Sequence, residues 1–310
     1  MTSREVPQEP RFYDVHSTDG TRLRAWTNDV EGPPVLLCNG LGTNPYAWPA
    51  LLRPDCGVRV FSWNHRGVGG SERPADETRV GIDAFVEDAV AVLDHAGLDT
   101  AVVAGWSIGV NTAFELSKRH ADRVSGVFAL AGVPGATFAS MLGPLRVPRP
   151  MRAPITVGMS YAVREIGHLL SPATQALPMG RLSATVLRHS GFMFPSADDE
   201  VVRRAVREFL TTDVDWYFHL AVAAARHQRV SLRGIAVPAT FVAGRHDVLA
   251  HNADIRSAAE RIPGAVYREL PGSHFLQMEH PEQVHRELLD LVRRVDDLRR
   301  TGPRSRREVS

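Results

Sequence analysis

The chain has 310 residues, 44% of them hydrophobic and 23% charged, with a formal net charge of +1. This is the make-up of an ordinary globular chain of one large or two small domains. A balance so near neutral gives no footing for nucleic acid or an acidic surface as the main partner, and no stretch reaches the ~18 apolar residues that cross a bilayer.

Met1–Pro10 is polar and lacks the apolar stretch of a secretory signal. The two cysteines, Cys38 and Cys56, make no disulfide framework, so a reducing, cytoplasmic setting is expected. Phe12–Ser17 and Arg22–Thr27 read as two strands joined through Asp19-Gly20, a hairpin signal. Pro34–Cys38 and Val58–Trp63 are continuous apolar runs that end in turn residues, as in a sheet buried on both faces. Ile82–Ala96 carries a helical apolar stripe stopped at Gly97. Thr100–Ala104 is the next strand, a helix follows to about His120, and Val124–Ala131 is the sixth strand.

The alternation then breaks. Pro144, Pro148, Pro150 and Pro154 argue against regular helix or central strand over that stretch. Helical patterns follow at about Ser160–Leu170 and Asp199–His227, with a mixed stretch between them. Strands return at Ala239–Ala243 and Ala265–Leu270, and a last helix opens at Pro281 and runs to about Leu298. Eight strands alternating with helices predict an α/β fold: a mostly parallel eight-stranded sheet with helices on both faces. A helical cap is expected to be inserted after strand six. The expected division is a core of residues 1–133 and 233–300, a cap of residues 134–232, and a solvated basic tail (residues 301–310) in the arginine-rich end Arg299, Arg300, Arg304, Arg306 and Arg307.

Chemistry enters at Gly105-Trp106-Ser107-Ile108-Gly109. This G-x-S-x-G lies between a strand and a helix, the context in which a serine is held on a sharp turn. Glycines at both ends let strand and helix pass closely. The free backbone N–H of Ile108 can then meet a developing oxyanion. A serine needs a base, and the base needs a third group to hold its tautomer. Later strand ends supply Gly244-Arg245-His246-Asp247 and Gly272-Ser273-His274-Phe275. Competing acids Asp198, Asp199, Asp213 and Asp215 fall in the cap, and His280 and His285 fall at or within the final helix.

These motifs, with Asn39-Gly40-Leu41-Gly42 and Arg66-Gly67-Val68-Gly69-Gly70-Ser71, resemble the α/β-hydrolase superfamily with an inserted cap, from about Phe12 to Leu298. The resemblance implies Ser107 as nucleophile, His274 as base then acid, and Asp247 as orienting carboxylate. It implies backbone N–H groups of Leu41 and Ile108 as the oxyanion hole, with no cofactor and no metal. Asn39 and Asn64 depart from the family's usual His-Gly and Asp-x-Arg-Gly. Trp106, Phe192, Phe194 and Trp216 are candidate pocket residues.

The expected activity is hydrolysis of a carboxylic ester, thioester or lactone of a small to medium apolar substrate through an acyl-enzyme. A C–C bond hydrolase of ring-cleavage products, a cofactor-free haloperoxidase and a non-catalytic ligand-binding protein are the alternatives. A serine at 107 disfavours epoxide hydrolase and haloalkane dehalogenase chemistry, which uses an aspartate there. The partner is a small molecule, and oligomeric state is not legible.

Overall fold

The structure, a computed structural model, describes residues 8–143 and 145–301. Eight strands form one sheet in the order β1-β2-β4-β3-β5-β6-β7-β8. They are β1 (Arg11–His16), β2 (Arg22–Thr27), β3 (Pro34–Cys38), β4 (Arg59–Trp63), β5 (Ala101–Trp106), β6 (Val124–Leu130), β7 (Ala239–Gly244) and β8 (Val266–Leu270). β2 pairs antiparallel with β1 and β4, and every later pairing is parallel. The hairpin turns at Gly20, whose φ of 83° suits a residue without Cβ.

The continuous apolar runs arise because both faces are covered. Along β5, Val103 packs on one side with Phe85 and Phe114, while Val102 and Ala104 pack on the other with Leu288 and Leu291. Helices α1 (Ile82–His95) and α2 (Gly109–Arg119) supply the first face. The long C-terminal α10 (Pro281–Thr301) supplies the second. From β3 the chain runs to β4 on one side and then crosses to β5 on the other. The carboxyl ends of β3 and β5 therefore flank the crevice where open α/β sheets bind ligands.

Between β6 and β7 the chain is helical: α3 (Thr137–Ser140), α4 (Arg149–Gln175), α5 (Arg181–Arg188), α6 (Asp199–Phe209) and α7 (Val214–Ala225). Three expectations need correction here. The proline-rich stretch does not exclude helix. Pro150 occupies the first turn of α4, where N–H groups have no intrahelical acceptor anyway, and Pro154 and Pro172 stand inside the helix. The single pattern over Asp199–His227 is two helices. Thr211-Thr212-Asp213 breaks it, with Asp213 extended (ψ 132°) at the cap of α7. The mixed stretch between them contains α5.

α8 (Asn252–Ala259) follows β7, and the short α9 (Leu276–Glu279) precedes α10. Arg299 and Arg300 belong to the last turn of α10, where cations suit the helix dipole, and not to a tail. Arg304, Arg306 and Arg307 lie outside the described residues.

Candidate active site

Ser107 has φ 57°, in the left-handed region that costs an L-residue roughly 1–2 kcal/mol. The turn is held by neighbours too close for any side chain. A Cβ on Gly105 would stand 2.6 Å from the Gly109 carbonyl oxygen, and one on Gly109 only 1.9 Å from that of Cys38. Ser107 N–H donates to Leu130 O of β6 at 3.0 Å, and Val110 N–H to Ser107 O at 3.1 Å, so sheet and helix both hold the turn.

Two loops converge on this serine. The one after β8 carries His274, whose Nε2 is 2.8 Å from Ser107 Oγ and whose Nδ1 is 2.8 Å from Asp247 Oδ2. A carboxylate only accepts, so Nδ1 carries the proton and Nε2 accepts from the serine hydroxyl. Asp247, from the turn after β7, is buried, and its other oxygen accepts N–H bonds from Leu249 and Ala250, each at 2.8 Å. The carboxylate is thus fixed from behind by backbone and faces the imidazole with one oxygen. Such an arrangement can move the serine proton onto Nε2 as Oγ attacks, with the imidazolium stabilised by the buried carboxylate.

Glu279 is a supporting residue that sequence reading missed. It is buried, and its carboxylate accepts Ser273 N–H at 2.7 Å, Ser273 Oγ–H at 2.5 Å and Phe194 N–H at 2.8 Å. It therefore ties the His274 loop to the cap. A glutamate two residues before Pro281 reads as an ordinary pre-helix residue, and only the folded contacts reveal the brace.

The Asn39–Gly42 loop lies beside the serine. Leu41 and Ile108 both line the cavity above Ser107, and neither backbone N–H donates to another described residue. Asn39 organises the loop: its Oδ1 accepts from Trp48 Nε1 at 3.0 Å and from Gly40 N–H at 3.1 Å. A Cβ on Gly40 would meet the Trp106 ring at 2.9 Å, which explains the glycine. Asn64 is also structural, donating to Gly69 O at 2.7 Å across the Arg66–Ser71 turn. Arg66 is fully buried, paired with Asp88 at 2.7 Å and Asp19 at 2.5 Å, and makes no contact with the serine.

The cavity holds about 590 Å³ and is roofed by the cap helices. Among the described residues its lining contains no Arg, Lys, Asp or Glu, and His274 is the one imidazole on it. Of the expected pocket residues, Trp106 and Phe192 line it. Trp106 also donates to His274 O at 3.0 Å, so it serves pocket and packing together.

Phe194 and Trp216 do not line it. Phe194 packs its ring edge-on against His246. Trp216 is buried against the core, where Nε1 donates to Arg66 O at 2.8 Å and Arg73 stacks over the ring. Helix geometry explains the miss. On α7, Tyr217, Ala221 and Ala224 share the face turned to the cavity, while Trp216 lies about 100° away. Burial pushes the Tyr217 phenol up to about 12, so it faces the cavity as a neutral group. The competing acids and histidines lie elsewhere. Asp198 caps α6, Asp213 pairs with Arg73, and His285 is buried within α10.

Comparison with known proteins agrees with this architecture. Epoxide hydrolase A of Mycobacterium tuberculosis (strain ATCC 25618 / H37Rv) is 28% identical, over 89% of this chain and 95% of that protein. The 3-oxoadipate enol-lactonase 2 of Acinetobacter baylyi is 25% identical, over 92% of this chain and 98% of its own. The solved enol-lactonase from Burkholderia xenovorans LB400 superposes with a TM-score of 0.65 at 25% identity, covering 91% of this chain and all of that one. All three are hydrolases, and the sequence profile of the alpha/beta hydrolase fold matches residues 33–281. The chain belongs to the alpha/beta hydrolase fold family.

Proposed function

We propose that this chain is a serine hydrolase of uncharged carboxylic esters or lactones, acting through an acyl-enzyme on Ser107. The observation that carries this is the single imidazole bridging Ser107 Oγ and Asp247 Oδ2, 2.8 Å from each. Oγ attacks the carbonyl carbon as its proton passes to His274 Nε2. The Leu41 and Ile108 N–H groups stabilise the oxyanion, each worth roughly 2.7–4 kcal/mol in hydrolases of this kind. The imidazolium then protonates the leaving oxygen, and water deacylates the serine by the reverse path. We take residues 134–232 as the cap unit that sets specificity, set on a core of residues 1–133 and 233–300.

Relatives named as epoxide hydrolases suggest another chemistry, but the residue at 107 argues against it. A serine that opened an epoxide would form a dialkyl ether, which offers no carbonyl for water to attack. A carboxylate nucleophile forms a hydrolysable ester. The uncharged lining likewise disfavours a 3-oxoadipate enol-lactone, which keeps a free carboxylate, and acidic ring-cleavage products.

The test is turnover of short p-nitrophenyl esters by the wild type and Ser107→Ala, with fluorophosphonate labelling mapped to its residue. Burst kinetics, loss of turnover in the variant and a label on Ser107 are expected. Clean ligand binding with no turnover of any ester, thioester or lactone would assign the pocket to a non-catalytic binding protein.

A further inference from the structure

Helix α4 is built inside out. The residues it buries are Thr156, Ser160, Gly167 and Ser171, small and mostly polar. Gly167 lets the helix approach α7 so closely that a Cβ there would stand 2.4 Å from Asp215 N. Several of its large apolar side chains are exposed, while Val163 lines the cavity. Met159, Ile166 and Leu170, at helical intervals of seven and four, form a stripe bordered by Leu169, which is 68% exposed. On α5, Leu182 (79% exposed) and Val186 (62% exposed) are exposed as well. Among the described residues, eleven of the twelve exposed large apolar side chains fall between 145 and 192, so the patch is a local feature and not general surface greasiness.

Two further observations say what covers it. First, the patch is continuous with the cavity, because Met159 (62% exposed) and Phe192 (39% exposed) belong to both. Second, the same segment is strongly basic. Residues 134–195 hold six arginines (146, 149, 152, 164, 181 and 188) and a single carboxylate, Glu165. Arg149 and Arg152 pair with Asp254 and Arg188 with Asp199, so with those two carboxylates counted the face keeps a formal +3 within a chain of net +1. An apolar helix face in a segment whose exposed arginines are Arg146, Arg149 and Arg181 matches an anionic lipid surface. Pairing with a second copy through the same face would set +3 against +3, which disfavours self-association.

We propose that the outer face of α4 and α5 docks the enzyme on anionic lipid bilayers, so that neutral substrates dissolved in the membrane enter the cavity past Met159 and Phe192. The docking stands on the surface alone, and the entry route rests on the hydrolase reading above. Among the described residues no helix is long and apolar enough to cross a membrane, so the association is peripheral and reversible.

The test is flotation of the full chain with vesicles of phosphatidylcholine alone and of phosphatidylcholine mixed with phosphatidylglycerol. Wild type and Ser107→Ala should both float with the anionic vesicles, and less so as salt is raised. Leu169→Glu and Leu182→Glu, exposed and outside the cavity lining, should each weaken partitioning about tenfold or more while leaving turnover of a soluble short ester unchanged. The proposal falls if wild type ignores anionic vesicles or if both variants float as well as wild type. It falls also if the substitutions dissolve a concentration-dependent dimer without any vesicle binding, which would give the face to a second copy. Flotation without ester turnover would overturn the proposed hydrolysis and leave the docking standing.

Discussion

Asp247→Asn is the sharpest probe of the proposed chemistry, because the structure dictates which way the new amide must face. Oδ1 accepts the Leu249 and Ala250 N–H groups, each at 2.8 Å. In the variant the amide oxygen has to take that place. The opposite orientation would set an NH₂ against two N–H donors and leave both unpaired in a buried site, at roughly 1–3 kcal/mol each. The NH₂ is therefore delivered to His274 Nδ1, which now has to accept. The imidazole proton moves to Nε2 and points at Ser107 Oγ, so Nε2 no longer takes the serine proton. The expected loss in kcat is about 10⁴-fold, or ~5.5 kcal/mol in the barrier. Because the amide oxygen keeps both backbone bonds, the melting temperature should stay close to wild type. Stopped-flow turnover of a p-nitrophenyl ester and thermal unfolding measure the two effects. A kcat within tenfold of wild type, in a variant that melts normally, would refute the assignment of Asp247 as the orienting carboxylate.

Three further outcomes follow from the packing. His65 is buried against Phe85, and burial lowers its pKa from the ordinary 6.5 to about 4. The unfolded chain takes up this proton below pH 6.5 and the folded chain only near pH 4, so stability present above 6.5 is lost as pH falls across that window, by ~3 kcal/mol in all. Urea unfolding at pH 7 and pH 5 should therefore show a smaller acid loss in His65→Leu than in wild type, and equal losses would count against it. Gly109→Ala drives a Cβ onto the Cys38 carbonyl and should destabilise by ~3 kcal/mol or more, with loss of turnover. Gly158→Ala, in open space on α4, should instead stabilise by ~0.5–1 kcal/mol; a calorimetric series in which both lower stability alike would undo this reading of the two glycines.

The local signals that were legible in the sequence are those one element can carry by itself. The apolar runs from Pro34 and Val58, and the alternating strand and helix units, declared a sheet covered on both faces because a doubly buried strand has no polar side to show. Gly105-Trp106-Ser107-Ile108-Gly109 marked the turn because no other residue fits beside the Cys38 carbonyl. His274 and Asp247 were readable because each sits just past a strand end.

What tertiary structure alone decided depends on which faces meet. Trp216 and Tyr217 are adjacent and equally aromatic, yet one is buried under Arg73 and the other looks into the cavity, since helix rotation and docking angle are properties of the assembled cap. The brace from Glu279 joins Ser273 to Phe194, 79 residues away, and no local pattern encodes that meeting. The outward apolar face of α4 is the clearest case. From sequence alone Ser160–Leu170 reads as a helix, and which way the apolar stripe of Met159, Ile166 and Leu169 faces is not legible. The close approach of Gly167 to α7 turns that stripe to the outside, so whether it is core or surface is settled by the helix it packs against.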